Sequence, residues 1–250
     1  MTKTLSHEQV MRYNRQIVLP QVDISGQESL LNAHAIIIGV GGLGNAAATS
    51  LCASGIGKIT LIDFDTVDST NLPRQTLFAE SDVGNNKVDV AQTKLYQLNQ
   101  QCEVVAVKQA LNASHATLFE QADVVLDCSD NASARDLVNT LCFQTSTPLV
   151  SGAAIRFEGQ LFVAIPGTSQ CYGCLRTFFA APELSCVEAG IFSPIVSIIG
   201  TYQALLASQV IMNKGEIPLN TLITFDGLSH QWQRWKLPNN TACEVCRTHP

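Results

Sequence analysis

The sequence predicts an α/β protein whose first half is a Rossmann-like nucleotide-binding unit built on parallel strands. Two observations predict this class. An apolar run at 35–38 leads into the pattern G-x-G-x-x-G, which starts at Gly39 and ends at Gly44, and an alanine-rich helical stretch follows. A second apolar run ends on Asp63, about twenty residues beyond the last glycine, where such folds place an acid that binds ribose.

The glycine segment predicts a phosphate site at the carboxyl edge of the sheet. Gly39, Gly41, Gly42 and Gly44 allow a tight turn and a close approach of backbone N–H groups to a phosphate. The helix that follows directs its positive end at the same anion. The glycines alone do not select the nucleotide, and NAD or FAD is the usual ligand of such a turn.

The second half of the chain predicts a different strand arrangement. Strand patterns at 148–154 and 160–165 flank a turn, an apolar helix is expected at 193–212, and two further strands at 222–225 and 231–237. We expect mostly antiparallel strands that continue the parallel ones into one mixed sheet. Residues 1–250 are thus predicted to form a single domain, with a nucleotide-binding half at 1–146 and a second half at 147–250.

Composition narrows the functional class. Of the 250 residues 14% are charged and 46% hydrophobic, which is typical of a large core and compatible with a buried oligomer interface. The net charge of −6, without a basic stripe, argues against nucleic acid as the main partner. We find no run of about eighteen apolar residues and no signal-peptide segment, so the sequence predicts a cytoplasmic protein without a membrane span.

Two C-x-x-C pairs among the nine cysteines predict a structural zinc site. Cys171 and Cys174 with Cys243 and Cys246 match one tetrahedral S4 site that has no open position. A redox role is the alternative for these pairs. Cys186 lies in an irregular stretch that suits an accessible thiol, and both a nucleophile and a bystander remain open for it. The other cysteines are interpreted as small core residues.

Four charged side chains outside the glycine turn indicate phosphoryl or nucleotidyl chemistry. Arg15 lies on a helix that starts with a capping box, and taken by itself it is explained better by a solvated helix face. Arg74 ends a long polar loop, and Lys87 lies in the first turn of a helix, where it opposes the macrodipole. Asp130 follows a strand, as a ligand or as a helix N-cap. Three cations would neutralise a polyphosphate, and one carboxylate would hold Mg²⁺.

Taken together, these motifs resemble the MoeB/ThiF family, the bacterial relatives of the ubiquitin-activating enzymes. The resemblance covers nearly the whole chain in order, and its motifs are Arg12-Tyr13-Asn14-Arg15-Gln16, the glycine turn, Asp63-Phe64-Asp65, Asn71-Leu72-Pro73-Arg74-Gln75, Gly84 with Lys87, Asp127-Cys128-Ser129-Asp130-Asn131 and both C-x-x-C pairs.

The resemblance implies an activity. It implies that MgATP adenylates the C-terminal glycine of a small ubiquitin-like sulfur carrier and that pyrophosphate is released. It also implies a homodimer in which Arg74 reaches the ATP of the neighbouring subunit. An NAD- or FAD-dependent oxidoreductase is the distant alternative, which the cations weigh against.

Site roles are carried over by motif. Gly42 would lie against the nucleotide, and Asp63 would bind ribose. Phosphates would be held by Arg15, Arg74 and Lys87, and Asp130 would position Mg²⁺. The other nucleotide-binding residues implied are Gly39, Gly41, Gly44, Asp65, Asn71 and Asn131. Cys186 matches a family cysteine that forms thioester or persulfide links in some members.

The motifs point to two different types of carrier protein. Segments 151–160 and 186–190 look like the molybdopterin branch, which uses a MoaD-type carrier. Phe225-Asp226-Gly227 with Trp232 looks more like the thiamine branch, which uses a ThiS-type carrier. Pro73 replaces the glutamine usual in the family's N-L-Q-R-Q. No rhodanese-like domain is recognisable, so a separate sulfur donor is expected.

Overall fold

One mixed eight-stranded sheet, in the order β3-β2-β1-β4-β5-β6-β7-β8, organises the protein. The computed structural model describes residues 2–178, 190–238, 240 and 242–246. The strands are β1 His34–Ile38, β2 Lys58–Ile62, β3 Glu103–Val107, β4 Val124–Asp127, β5 Leu149–Ile155, β6 Glu158–Ala164, β7 Thr221–Asp226 and β8 Gln231–Lys236. The helices are α1 His7–Arg12, α2 Asn14–Ile17, α3 Asp23–Asn32, α4 Gly42–Ala53, α5 Lys87–Leu98, α6 Ala116–Phe119, α7 Ala132–Gln144, α8 Tyr172–Arg176 and α9 Ser193–Met212.

The predicted change from parallel to antiparallel pairing is confirmed. Strands β1 to β5 pair in parallel, and β5 to β8 pair antiparallel. The two predicted halves meet where β4 pairs with β5, with Leu126 opposite Val150. The inner parallel strands β1, β2 and β4 are buried on both faces, as helical coverage of both sides requires, and β1 is buried at every position.

Two hydrophobic clusters sandwich the sheet. One cluster joins α4, α5 and α9 to one face through residues such as Leu51, Leu95 and Ile199. The other joins α6, α7 and α8 to the opposite face through Phe119 and Leu141, among others. The inward positions of β6 and β7 belong to the first cluster, so α9 covers that face of the antiparallel strands.

The helix α9 corrects one sequence prediction. It has 20 residues with a mean hydropathy of 1.6 in its most apolar window, which is long and apolar enough to cross a membrane by length and composition. The expectation that no such stretch exists is therefore wrong. One side of the helix packs against the rest of the protein: Val196 and Ile199 are buried, and Gly200 lets it approach α4 so closely that a Cβ there would lie 2.3 Å from the Leu43 carbonyl oxygen.

Several local predictions need adjustment. The first helix breaks at Tyr13, because that side chain is buried against Gly55 and its hydroxyl accepts a hydrogen bond from Asn99. The helix α3 was not predicted. The helix α9 begins at Ser193, as predicted, and its N-cap is Phe192.

Candidate functional site

The predicted nucleotide-binding residues, apart from Arg15, gather at the carboxyl ends of β1, β2 and β4. Successive strands β2 and β3 lie on one side of β1, and β4 lies on the other. This reversal leaves a crevice between β1 and β4, which is where open α/β sheets bind their ligands. The glycine turn leaves β1 at this crevice, and the loop that carries Asp130 leaves β4.

The glycine turn is shaped by its own packing. Gly39 has φ of +85°, and a Cβ there would lie 2.9 Å from the Cys128 carbonyl oxygen. A Cβ on Gly44 would lie 2.0 Å from the Gly39 carbonyl oxygen, so this glycine is required for the turn to close. At Gly41 a Cβ would meet only the Gln75 amide nitrogen at 3.8 Å, which leaves that surface open for a ligand.

The amino end of α4 faces this open surface. Gly41 is the N-cap and, within the described residues, no side chain caps the helix. The first N–H groups of α4 are thus available to an anion.

Val40 is held on both sides by buried side chains. Asp63 Oδ2 accepts a hydrogen bond from the Val40 N–H at 2.7 Å, and Asn45 Nδ2 donates to the Val40 carbonyl at 2.8 Å. Asn45 Oδ1 also accepts from the Leu77 N–H at 2.9 Å, which ties the glycine turn to the segment after Arg74. Sequence reasoning missed Asn45, although an asparagine in the first turns of an alanine-rich helix is a usable signal.

Lys87 is connected to the same site through Asp65. Asp63 Oδ1 accepts from the Asp65 N–H at 2.8 Å, and Asp65 Oδ2 forms an ion pair with Lys87 Nζ at 2.9 Å. Lys87 is 5% exposed, whereas the Asp65 side chain is about half exposed. The ion pair compensates the unfavourable position of a lysine at the start of α5.

Arg74 borders the glycine turn of its own chain. Its carbonyl oxygen lies 3.0 Å from the position of a Cβ on Gly42, and its guanidinium donates to the Thr70 carbonyl at 3.1 Å. The Asn71 carbonyl accepts from the N–H groups of Arg74 and Gln75, which folds this loop tightly. Pro73 is accommodated in this turn with Arg74 still at the site.

Asp130 is not the N-cap of the helix that follows it. Asn131 caps α7, and its Oδ1 accepts from the Ala134 N–H at 2.9 Å. Asp130 is exposed, and within the described residues its carboxylate accepts a 3.3 Å hydrogen bond from the Asn131 amide. The N-cap interpretation of Asp130 is therefore wrong, and its carboxylate is turned to solvent at the edge of the crevice.

Arg15 lies near the carboxyl end of α4, whereas the glycine turn lies at its amino end. Its neighbour Gln16 donates to the carbonyl of Ser54, the C-cap of α4. A helix of this length separates its ends by about 18 Å, far more than an arginine side chain reaches. The structure therefore does not bring Arg15 to the nucleotide site of its own chain.

The four C-x-x-C cysteines form one cluster. Their sulfur atoms all lie within 4.8 Å of one another. The separations are 3.9 Å for Cys171–Cys174, 3.5 Å for Cys171–Cys243 and 3.4 Å for Cys174–Cys246. A zinc ion with Zn–S bonds of about 2.3 Å holds tetrahedral sulfurs about 3.8 Å apart, so the cluster fits one zinc.

Local structure and charge also suit a metal at this cluster. Cys171 is the N-cap of the short helix α8. Burial raises the pKa of Cys171 to about 11. Burial would also raise the pKa of Cys243, but backbone N–H groups of Cys246 and Val245 lower it to about 7. A cation would allow the remaining buried thiols to ionise.

Cys186 lies outside the described residues.

These features define a Rossmann-type nucleotide-binding protein with an added four-cysteine cluster that could hold a metal ion. A model of the ThiF family matches residues 13–245. The Molybdopterin-synthase adenylyltransferase of Escherichia coli K12 is 41% identical over 244 residues, which cover 97% of this chain and 98% of that protein. The Sulfur carrier protein ThiS adenylyltransferase of the same organism is 41% identical over 94% of each chain.

A solved structure supports the same placement. The crystal structure of Escherichia coli MccB with ATP superimposes with a TM-score of 0.79 and 25% identity, covering 90% of this chain and 70% of that one. The chain belongs to the ThiF family.

Proposed function

We propose that this protein catalyses the ATP-dependent adenylation of the C-terminal glycine of a ubiquitin-like, MoaD-type sulfur carrier in molybdenum cofactor biosynthesis. One observation carries the proposal: an uncapped helix end, Lys87, Arg74 and Asp130 surround one crevice at the carboxyl edge of the sheet. The near full-length similarity to two proteins named as adenylyltransferases supports the same reaction. The second candidate, a ThiS-type carrier in thiamine biosynthesis, rests on the equal identity to the ThiS adenylyltransferase.

The nucleotide would lie across the glycine turn. The N–H groups at the start of α4 would receive a phosphate, and Lys87 and Arg74 would neutralise the others. Asp63 uses one lone pair of each carboxylate oxygen for a backbone N–H, so each oxygen retains capacity for a ribose hydroxyl. Asn71 and Asn131 would support the loops on the two sides of the crevice.

Magnesium fits the donor chemistry of Asp130. Mg²⁺ prefers one or two carboxylates together with phosphate oxygens and water. An exposed carboxylate beside the predicted phosphate position meets that requirement without a preformed cage of protein ligands. The bound ion would supply charge neutralisation at the phosphates.

The chemistry needs alignment rather than a general base. A C-terminal carboxylate has a pKa of about 3.5 and is already ionised at neutral pH. It attacks the α-phosphate, the bond to the leaving pyrophosphate breaks, and an acyl-adenylate forms. The residues of this chain contribute by aligning the two reactants and by stabilising the negative charge that shifts onto pyrophosphate.

The carrier would approach over the sheet face that α7 and α8 leave open. A groove of about 240 Å³ is lined there by polar side chains of β6, β7 and β8, including Gln160, Thr224 and Gln233. A narrower groove continues past Ser151 to Arg135 at the start of α7. An extended carrier tail along this path would deliver its carboxylate to the crevice beside Asp130.

We also propose a homodimer that supplies Arg15 across the subunit interface. The resemblance assigned this role to Arg74, but Arg74 borders its own glycine turn, and Arg15 lies at the far end of α4. Residues 11–24, which include Arg15, expose large apolar side chains to solvent, and so does α9. The exposed apolar residues are Met11, Val18, Leu19, Ile24, Ile198 and Leu205.

The position of α9 supports this arrangement. Val196 in its first turn packs against Gly42, and Met212 at its end packs against Gly26 of α3. The helix therefore connects the nucleotide end of the subunit to the Arg15 end. A second subunit packed in the opposite direction on α9 would bring its Arg15 end close to the nucleotide.

The remaining proposals concern the whole chain. We expect residues 1–250 to act as one adenylation domain, because a single sheet crosses the boundary between 146 and 147. We expect a cytoplasmic enzyme with a structural zinc and a separate sulfur donor, in keeping with the resemblance.

Carrier-dependent exchange of labelled pyrophosphate into ATP tests the reaction. The protein is incubated with MgATP and either a MoaD-type or a ThiS-type carrier. Exchange with the first carrier supports the molybdopterin branch, and exchange with the second alone supports the thiamine branch. Matched carriers that lack the C-terminal glycine should give no exchange. Absence of exchange with both intact carriers would overturn the proposal.

A further inference from the structure

The end of β4 contains a second aspartate that the proposed reaction does not use. Asp127 is 1% exposed and is the last residue of β4, three residues before Asp130 in the loop that follows. Burying a carboxylate is costly unless hydrogen bonds compensate for the lost water. The contacts of Asp127 therefore define what this residue does.

The Asp127 carboxylate accepts three hydrogen bonds from neutral donors. Oδ1 accepts from the Ser129 N–H at 3.1 Å and from the Ser129 hydroxyl at 2.6 Å. Oδ2 accepts from the Ser151 hydroxyl at 2.8 Å. The Asp127 backbone carbonyl accepts from the Gln203 amide of α9 at 2.8 Å. The residue is thus fixed to β5 and to α9, and it fixes Ser129 in turn.

Ser129 is restrained from its other side as well. The Arg135 guanidinium, one turn into α7, donates to the Ser129 carbonyl at 2.9 Å. The N–H, the carbonyl and the hydroxyl of Ser129 are therefore all hydrogen-bonded. On the far side of Asp130, Asn131 is fixed as the N-cap of α7.

Asp130 is consequently an exposed side chain on an immobilised backbone. The residue before it and the residue after it are both held, whereas its own carboxylate remains turned to solvent. Groups behind a metal ligand that orient it typically change metal affinity about 10- to 100-fold when they are removed. The geometry of this loop matches that role.

We propose that Asp127 is a positioning residue, which acts through Ser129 to hold Asp130 in the orientation that binds the magnesium of MgATP. The inference rests on the proposed function, because that function assigns the metal to Asp130. It adds that hydrogen-bond geometry at Asp127, rather than its charge, sets the metal affinity. Ser129 and Arg135 belong to the same positioning unit.

The choice of variants separates geometry from charge. In Asp127→Asn, Oδ1 keeps both bonds from Ser129, and the new amide faces the Ser151 hydroxyl, which can rotate to accept. In Asp127→Ala all three bonds are lost. Positioning by geometry predicts that asparagine restores most of the function that alanine removes. Thr140→Ala, a locally bonded residue on the solvated side of α7, is the matched control.

Metal binding is measured without catalysis. Mn²⁺ is titrated into each variant saturated with ATP, in the absence of carrier, and free Mn²⁺ is followed by electron paramagnetic resonance. Asp127→Ala and Asp130→Ala should each weaken Mn²⁺ binding about 10-fold or more. Asp127→Asn should remain within about threefold of the unmodified protein. ATP affinity without metal should stay unchanged in all three.

Kinetics provide a second readout. In the exchange assay, Asp127→Ala should raise the Mg²⁺ concentration that gives half-maximal rate about 10-fold, and excess Mg²⁺ should recover part of the rate. A merely structural role would lower the melting temperature and the amount of folded protein but leave that concentration unchanged.

The outcomes separate this proposal from the proposed function. Unchanged Mn²⁺ affinity of folded Asp127→Ala would overturn it, as would an asparagine variant no better than the alanine one. Unchanged Mn²⁺ affinity of Asp130→Ala would show that Asp130 is not a metal ligand. The positioning role of Asp127 would then be overturned as well. Loss of Mn²⁺ affinity in both alanine variants, without exchange on either carrier, would reject the carrier assignment and uphold the positioning role.

Discussion

Lys87 Nζ lies 2.9 Å from Asp65 Oδ2, and the two partners differ in exposure. The lysine is buried, whereas about half of the aspartate side chain remains in water. A phosphate that enters the crevice would carry more negative charge than Asp65 and would attract Lys87 more strongly. Asp65 would not be left buried and unpaired, because its side chain is still hydrated. The pair therefore keeps a buried cation satisfied in the absence of nucleotide and leaves it free to exchange partners.

Lys87→Met should abolish most activity with little loss of stability. Removal of one charged donor at a transition state typically costs about 100- to 1000-fold in rate. The folded state should change little, because methionine fills a similar volume and Asp65 stays hydrated. Pyrophosphate exchange and thermal melting measure the two effects.

A matched control for Lys87 exists on the same helix. Lys94 of α5 forms an ion pair with Asp82 at 3.4 Å, away from the crevice. Lys94→Met should keep near-normal exchange, since partly exposed pairs contribute at most about 1 kcal/mol. Equal activity of the two methionine variants would contradict a phosphate role for Lys87.

Asn45→Ala should destabilise the protein and weaken ATP binding together. The substitution leaves the Val40 carbonyl and the Leu77 N–H without their partner. Each unsatisfied buried group costs about 1–3 kcal/mol, so the unfolding free energy should fall by about 2–6 kcal/mol. Calorimetric melting and ATP titration check the prediction.

The control for Asn45 is Ser50→Ala in the same helix, which is expected to change stability by less than about 0.5 kcal/mol. A melting temperature of Asn45→Ala equal to that of the control would show that these two hydrogen bonds do not hold the glycine turn.

Cys246→Ser should remove the metal from the four-cysteine cluster. A thiolate site fitted to zinc loses affinity when one sulfur ligand is replaced by a hydroxyl. We expect one zinc per chain in the unmodified protein and in Cys142→Ala, whose thiol is buried on the same face of the sheet. Metal analysis by mass spectrometry should find almost none in Cys246→Ser. Zinc retained at full occupancy in that variant would place the metal elsewhere.

The sequence predicted those parts of the fold that depend on local patterns. Three local features each encode an element within a few residues. They are the apolar run before Gly39, the acid at Asp63 and the change in strand pattern after Thr147. The helix α3 was missed because its sequence contains a central glycine and no clear apolar stripe. The break at Tyr13 was missed because it depends on contacts with residues far away in the chain.

The site predictions show the same difference between local patterns and contacts across the chain. Residue types predicted Arg74, Lys87 and Asp130 as site residues, because cations and a carboxylate at strand and helix ends indicate a polyphosphate ligand. The roles of Asn45 and Asp127 required the structure, since the partners Leu77 and Ser151 lie more than twenty residues away. One sequence cannot show such pairings, nor that Arg15 lies at the far end of α4.

Complementation between two inactive variants should show whether Arg15 acts across the subunit interface. Arg15→Ala and Asp130→Ala should each lack exchange activity. In a mixed dimer, the subunit that keeps Asp130 receives the intact Arg15 of its partner, whereas the other site lacks both. Random pairing therefore restores about a quarter of the sites, because half of the dimers are mixed and each has one complete site.

The experiment uses co-expressed chains with different affinity tags, so that mixed dimers are isolated before assay. Purified mixed dimers should reach about half of the normal exchange rate per dimer. Arg15→Ala with Arg74→Ala is the informative second pair. Because Arg74 borders its own glycine turn, the subunit that keeps Arg74 supplies its own Arg74 and takes Arg15 from its partner, so activity should also recover. No recovery in either pair, with dimers confirmed by mass, would assign Arg15 to its own subunit, and normal activity of Arg15→Ala alone would exclude any role for this residue.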